Sequence, residues 1–243
     1  MLNKKAGQGA AMPPKRRFRG RWILYAAAAG RLRPSFSSWP FEGRVGMRRP
    51  WDRHHRRQAP WWQPTRGSPL GIGSKDAPVV LIEWADARCP YCALFTQETL
   101  PTLLKDYVDS GKVRFEFRDV AMFGEQSVSA GTGIRAAAAQ EPFHAYLTTL
   151  YGAAEGHEHP DLPREKLIEF ARTAGVPDMD RFEADLGSEA LRQAVLASTT
   201  DARRLGVTGV PLFLAGDRVL SGAQPVEVFK QVLDEALQAA ETK

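Results

Sequence analysis

Two cysteines stand in a chain of 243 residues, and they fall three apart, in Cys89-Pro90-Tyr91-Cys92. At that spacing two sulfurs share the first turn of a helix and can close a small, reversible disulfide ring. The chemistry on offer is dithiol–disulfide exchange. Pro90 suits the first helical position, where its missing N–H costs nothing, so Cys89 is expected at or just before a helix start. Orphan N–H groups and the positive end of the helix dipole then face its sulfur, and Arg88 adds a positive charge. A free cysteine has a pKa of about 8.5, and in Cys-x-x-Cys sites the value falls to about 3.5–7. Cys89 is therefore expected to be the attacking, exposed sulfur, with Cys92 deeper and resolving the mixed disulfide. Two other readings of the pair stay open. A structural bridge would close so short a loop that it contributes little loop entropy. A zinc site would need two more ligands from His54, His55, His144, His157 and His159, and the usual second pair at ligand spacing is missing.

The elements that must position this pair follow from hydrophobic patterning. Val79–Trp84 is a β-branched apolar run and reads as a buried strand. Leu94, Phe95, Leu100, Leu103, Leu104, Tyr107 and Val108 mark one face of the helix that follows. Val113–Arg118 alternates apolar and charged residues and reads as a second strand. Helices are predicted over Ile134–Gln140, Phe143–Ala154, Arg164–Thr173, Met179–Leu186 and Ala190–Leu205. Val210–Leu214 and Val219-Leu220 are predicted as hairpin strands, and a last helix starts at Pro225. The order predicts an α/β domain, a small mixed sheet flanked by helices, with an inserted α-helical subdomain at about 123–206.

That order, with Cys-Pro-Tyr-Cys followed by Gly206-Val207-Thr208-Gly209-Val210-Pro211-Leu212-Phe213 and a tail Gly222-Ala223-Gln224-Pro225-Val226-Glu227-Val228-Phe229, resembles the DsbA-like thioredoxin-fold family of bacterial thiol–disulfide oxidoreductases. The resemblance covers roughly residues 70–240. It implies a thioredoxin fold and catalysis through Cys89 and Cys92, with Pro90 and Tyr91 tuning the potential. It implies that Pro211 is cis and faces the dithiol. Gly209 and Val210 then offer backbone to an extended substrate chain, in the manner of strand addition. It also implies that Glu83, six residues before the first cysteine, relays protons to Cys92; the alternative is a carboxylate satisfied by a lysine or water. Asp86 reads as a loop or helix-start residue. No metal or organic cofactor is implied. The implied partners are proteins bearing cysteine thiols and a separate redox partner that resets the pair, since the chain has no third cysteine. The expected state is a monomer.

Other clusters offer less. His157-Glu158-His159 with Asp161 reads as a solvated loop, and His144 as a partly buried packing residue. Gly71-x-Gly73 precedes the first predicted strand instead of following it, so it is no dinucleotide fingerprint. Residues 1–68 differ in character from the rest. They hold 16 Lys and Arg against 2 Asp and Glu, while residues 69–243 hold 17 against 26, and five of the six tryptophans lie in the first part. Such a segment is expected to be disordered. Its apolar run Trp22–Ala29 is too short to span a bilayer. A degenerate export signal, or a true start at Met12 or Met47, ranks above weak membrane association or nonspecific nucleic-acid binding, and no specific nucleic-acid partner is expected.

The compartment bears on direction. Outside the cytosol such a pair introduces disulfides, which is the expected activity in the cell envelope. In the cytosol it would be held reduced, and Pro90-Tyr91 is also the dipeptide of glutaredoxins. A cytoplasmic reductase using glutathione or a mycothiol-type thiol is therefore the alternative. A disulfide isomerase is disfavoured for want of a dimerisation domain. A non-catalytic binding or chaperone module would be signalled by an indifferent Cys89→Ser variant.

Overall fold

The computed structural model describes residues 64–65, 67–154 and 156–242. The readings placed on the basic N-terminal segment, and on His54 and His55, lie outside the described residues. Five strands form one sheet in the order β1-β3-β2-β4-β5. They are β1 (Gly71–Ile72), β2 (Val79–Ala85), β3 (Val113–Asp119), β4 (Leu212–Ala215) and β5 (Arg218–Ser221). β2 runs parallel to β3 and antiparallel to β4, and β1 and β5 are antiparallel edges. Every residue of β2 is buried, as its continuous apolar run requires of a central strand.

The mixed sheet flanked by helices is the architecture expected from the sequence. β1 was not expected. Two residues carry no alternation to read, and its physical cause lies elsewhere. Gly71 admits the Arg114 guanidinium, which a Cβ at that position would strike. Arg114 then donates to the carbonyls of Gly73 and Ser68 at 2.7 and 2.8 Å. Glu116 accepts from Arg114 Nε at 3.3 Å and from the Thr65 backbone N–H at 2.9 Å. The charged positions of β3 are thus not turned to water. They pin the stretch from Thr65 to Gly73 along the strand.

The dithiol helix begins as α1 (Pro90–Leu94), passes through a π-helical turn at Phe95–Thr99, continues as α2 (Leu100–Leu103) and ends in a second π-helical turn at Leu104–Val108. Pro101 supplies the reason for the first interruption. It has no N–H to give the Gln97 carbonyl, and just before it Leu100 N–H reaches back five residues to Phe95 O. The buried Phe95 ring anchors this segment, with centroids 4.4 Å from Phe213 of β4 and 5.1 Å from Phe229 of the last helix. Burying a phenylalanine is worth about 1.5–3 kcal/mol, so these contacts fix the dithiol helix to the sheet.

The insertion holds α3 (Glu125–Ala138), α4 (Phe143–Gly152), α5 (Arg164–Thr173), α6 (Met179–Asp185) and α7 (Glu189–Arg204), and the chain closes with α8 (Val226–Glu241). α3 starts nine residues before the predicted Ile134. Its first half, Glu125-Gln126-Ser127-Val128-Ser129-Ala130-Gly131, is rich in small and polar residues and has no apolar stripe to announce it. Gly131 lets the two helices approach closely, since a Cβ there would lie 3.1 Å from Val195 of α7 and that side chain would have to shift. Arg135 of α3 meets the buried Asp119 at the end of β3 with two hydrogen bonds of 2.6 and 3.1 Å. α4 ends at Gly152, two residues earlier than expected, and His144 is exposed on it instead of partly buried. Among the described residues, no helix is long and apolar enough to cross a membrane.

Candidate active site

β2 delivers Glu83 and Asp86 to the C-terminal edge of the sheet, and the turn after it delivers Cys89. The turn is tied down by Asp86. Its carboxylate accepts from Arg88 N–H at 2.8 Å, from Met122 N–H at 2.6 Å and from Phe123 N–H at 3.3 Å. Its carbonyl accepts from Cys89 N–H at 3.0 Å and from the Tyr151 hydroxyl at 2.9 Å. Asp86 is the loop residue expected from the sequence, and it also joins the β2–α1 turn to the β3–α3 loop. Cys89 caps α1 in extended conformation (φ −81°, ψ 120°), with Pro90 at the first turn.

The two cysteines are unbonded. The neighbouring Cys92 thiol is the main influence drawing the Cys89 pKa down to about 7; the backbone N–H groups of Cys92 and Tyr91 assist, while burial and the Asp86 charge oppose. Burial, the bond to Cys89 and the nearby Glu83 and Cys89 charges hold Cys92 well above the usual thiol range. The two sulfurs thus differ, with Cys89 lowered and Cys92 raised from the ordinary thiol value.

Two details differ from expectation. Cys89 is not exposed: 3% of its surface is accessible, and its Sγ–H donates to the Val210 carbonyl at 3.5 Å. Arg88 does not lend its charge to the sulfur. Its guanidinium is spent on the carbonyls of Pro160 and Phe123, at 2.8 and 2.7 Å.

The Val210–Pro211 peptide is cis. Pro211 is buried, Val210 half-buried and Gly209 exposed, just ahead of β4 and not inside it. Tyr91 is 51% exposed. Glu83 is fully buried between the cross-strand neighbours Phe117 and Phe213. Neither of its carboxyl oxygens has a hydrogen-bond partner among the described residues, and no lysine satisfies it. Burial first, and the Cys89 charge second, push its pKa well above the ordinary carboxylate value. The Tyr151 hydroxyl is raised for the same reasons, burial and the charges of Cys92, Glu83, Asp86 and Cys89. The site thus carries several acids and no cation at its centre, so ionisation of one suppresses ionisation of the others.

The loop of His157 and His159, expected to be only solvated, is exposed but touches the site. The His157 ring stacks on Tyr91 at 6.0 Å between centroids, and His159 Nδ1 donates to the Arg88 carbonyl at 2.8 Å. These residues are 68–70 positions from Cys89, and no local signal in the sequence links them. Among the described residues no group of three or more His, Cys, Asp and Glu side chains is placed to hold a metal ion.

Comparison with known proteins adds the family. The thioredoxin family profile matches residues 65–235. A relative named probable disulfide bond formation protein D, from Bacillus anthracis, is 28% identical over 58% of this chain and 66% of its own length. Disulfide bond formation protein D of Bacillus subtilis is 23% identical over 72% of this chain and 80% of its own. Among solved structures, oxidised BdbD of Bacillus subtilis superposes with a TM-score of 0.65 at 21% identity, covering 70% of this chain and 92% of that one. Alpha-DsbA1 of Wolbachia pipientis gives 0.64 at 19% identity, covering 71% and 92%. A dithiol capping the helix after the central strand, a thioredoxin-type sheet around it and a profile match across most of the folded residues together make this chain a member of the DsbA-like thioredoxin family of thiol–disulfide oxidoreductases.

Proposed function

We propose that the chain introduces disulfides into protein substrates through Cys89 and Cys92. The observation that carries this reading is the placement of the pair, with Cys89 capping α1, its Sγ–H on the Val210 carbonyl, and Cys92 buried behind it. In the oxidised enzyme, a substrate thiolate attacks Cys89 Sγ. The Cys89–Cys92 bond breaks, and its electron pair goes to Cys92, which takes a proton. A second substrate thiolate attacks the substrate sulfur of the mixed disulfide, and Cys89 leaves as a thiolate. The substrate loses two electrons, the enzyme gains them, and a separate oxidant must remove them. Glu83, buried behind the pair with no hydrogen-bond partner among the described residues and with its pKa raised by burial, is the proposed source of the Cys92 proton. Gly209 and Val210 are the proposed backbone contacts for the substrate, with Pro211 packed behind them and Pro90 and Tyr91 tuning the pair. An incoming chain would take over the Val210 carbonyl from the Cys89 thiol.

We place this activity in the cell envelope, in a monomer whose catalytic unit is residues 69–243. The basic segment 1–68 is assigned to a degenerate export signal or to sequence ahead of a true start at Met12 or Met47, ranked above weak membrane contact. One observation favours a second reading. A Cys89 near 7 matches the reducing members of the fold better than the strongest oxidants, whose value is about 3.5, so a thiol reductase is the competing function.

The test is trapping. With Cys92→Ser, incubation with a reduced, unfolded protein in the presence of a thiol oxidant should accumulate a covalent complex through Cys89, dissolved by added reductant. Cys89→Ser should form none and should lose at least a thousandfold in oxidation rate. Equal turnover by wild type and Cys89→Ser would end the reading and support a non-catalytic module.

A further inference from the structure

The peptide just before Cys89 is held from a loop 70 residues away. His159 Nδ1 donates to the Arg88 carbonyl at 2.8 Å, while the Arg88 guanidinium reaches back to Pro160 O at 2.8 Å and to Phe123 O at 2.7 Å. The His159 and Phe123 rings lie 3.8 Å apart between centroids. Backbone and side chain of one residue thus grip the same loop, and the β3–α3 loop is gripped with it. On the other side of the turn, Arg88 N–H and Cys89 N–H are bound by Asp86. A carbonyl acceptor requires the Nδ1–H form of His159, so the contact is directional.

We propose that His159 and Arg88 are positioning residues for Cys89: they fix the Arg88–Cys89 peptide and thereby set how well the first turn of α1 accommodates the sulfur as an anion. The geometry gives the reason. The groups that stabilise the Cys89 anion are the Cys92 thiol and the N–H groups of Tyr91 and Cys92. All lie on the C-terminal side of the sulfur, and hydrogen bonds of this kind weaken steeply with angle. Their alignment depends on the φ and ψ of Cys89, whose leading peptide is held, among the described residues, by Asp86 and by this clamp. The exposed loop from His157 to Pro160 is then part of the redox site and no mere connector between α4 and α5.

The inference rests on the reading of Cys89 and Cys92 as a reversible dithiol. Its test is made on the full chain with His159→Ala, His159→Gln and Arg88→Lys. Two quantities are read: the thiolate absorbance near 240 nm against pH, and the equilibrium constant with glutathione. The absorbance step belongs to Cys89, because Cys92 and Tyr151 are pushed upward by burial and the carboxyls of Glu83 and Asp86 do not absorb there. His159→Ala is expected to raise the proton affinity of Cys89 about tenfold and to make the enzyme a weaker oxidant by a similar factor. Arg88→Lys keeps the charge but cannot reach two carbonyls with a fixed fork, and should shift in the same direction. His159→Gln retains an N–H donor and should return most of the wild-type value. Midpoints and equilibrium constants within twofold of wild type in both His159→Ala and Arg88→Lys would overturn the proposal, as would His159→Gln shifting as far as His159→Ala. A wild type without any reversible dithiol equilibrium would instead defeat the underlying reading of the site.

Discussion

Glu83 is the residue whose environment departs furthest from what its side chain prefers. Two carboxyl oxygens lie in a fully buried site with no hydrogen-bond partner among the described residues. Its raised pKa means that the folded state binds a proton which the unfolded chain has lost above pH 4.5. Stability should therefore fall as pH rises from 4.5 toward the folded-state value, by up to about 1.4 kcal/mol per pH unit. Glu83→Gln, which mimics the protonated form, should remove that slope. Denaturant titrations from pH 4 to 8 should show the variant gaining on wild type as pH rises, while its rate of substrate oxidation falls about tenfold or more for want of a proton to give Cys92. A constant offset across the range would mean that Glu83 is already charged in the fold. The buried strand reading of Val79–Trp84 and the family resemblance singled the residue out, but its aromatic cross-strand neighbours come from β3 and β4, and only the sheet register brings them there.

At the scale of elements, strong apolar patterns were legible and silent ones were not. β2, β3, α5 and the start of α8 stand where their patterns place them. The first half of α3 was missed because it meets α7 through small residues such as Gly131, while its second half is tied to β3 by the Arg135–Asp119 ion pair. That pair offers a test. Asp119 is buried, and burial raises its pKa against the pull of Arg135. Arg135→Met should leave an uncompensated buried carboxylate and cost about 3–5 kcal/mol in urea unfolding. The added change Asp119→Asn should recover more than half of that loss. Additive costs would show that the pair does not join α3 to β3. The cis peptide was reached only through family resemblance, since an X–Pro pair in a sequence does not declare its isomer, and the Val210 contact with Cys89 was not anticipated.

For the whole molecule, the folded unit reaches upstream of its first strand. Leu70 O accepts from Phe117 N–H at 2.9 Å, and Ser68 and Thr65 satisfy Arg114 and Glu116. A chain starting at Gly71 would bury both charges with fewer partners, and hydrogen bonds to charged groups contribute about 1.5–3 kcal/mol each. It should unfold at least about 3 kcal/mol more easily than one starting at Pro64; equal midpoints would show that this stretch is not part of the fold. The acidic catalytic part and the basic leading segment were plain from charge alone. The clamp from the α4–α5 loop was not, since it joins Arg88 to residues 71 and 72 positions away. The central claim, that Cys89 and Cys92 drive disulfide formation, is tested most directly by the equilibrium reduction potential of the full chain against a glutathione series, read by thiol alkylation. A value at or above about −180 mV is the predicted result, and one near −270 mV, the range of thioredoxin, would contradict it and make the protein a reductase.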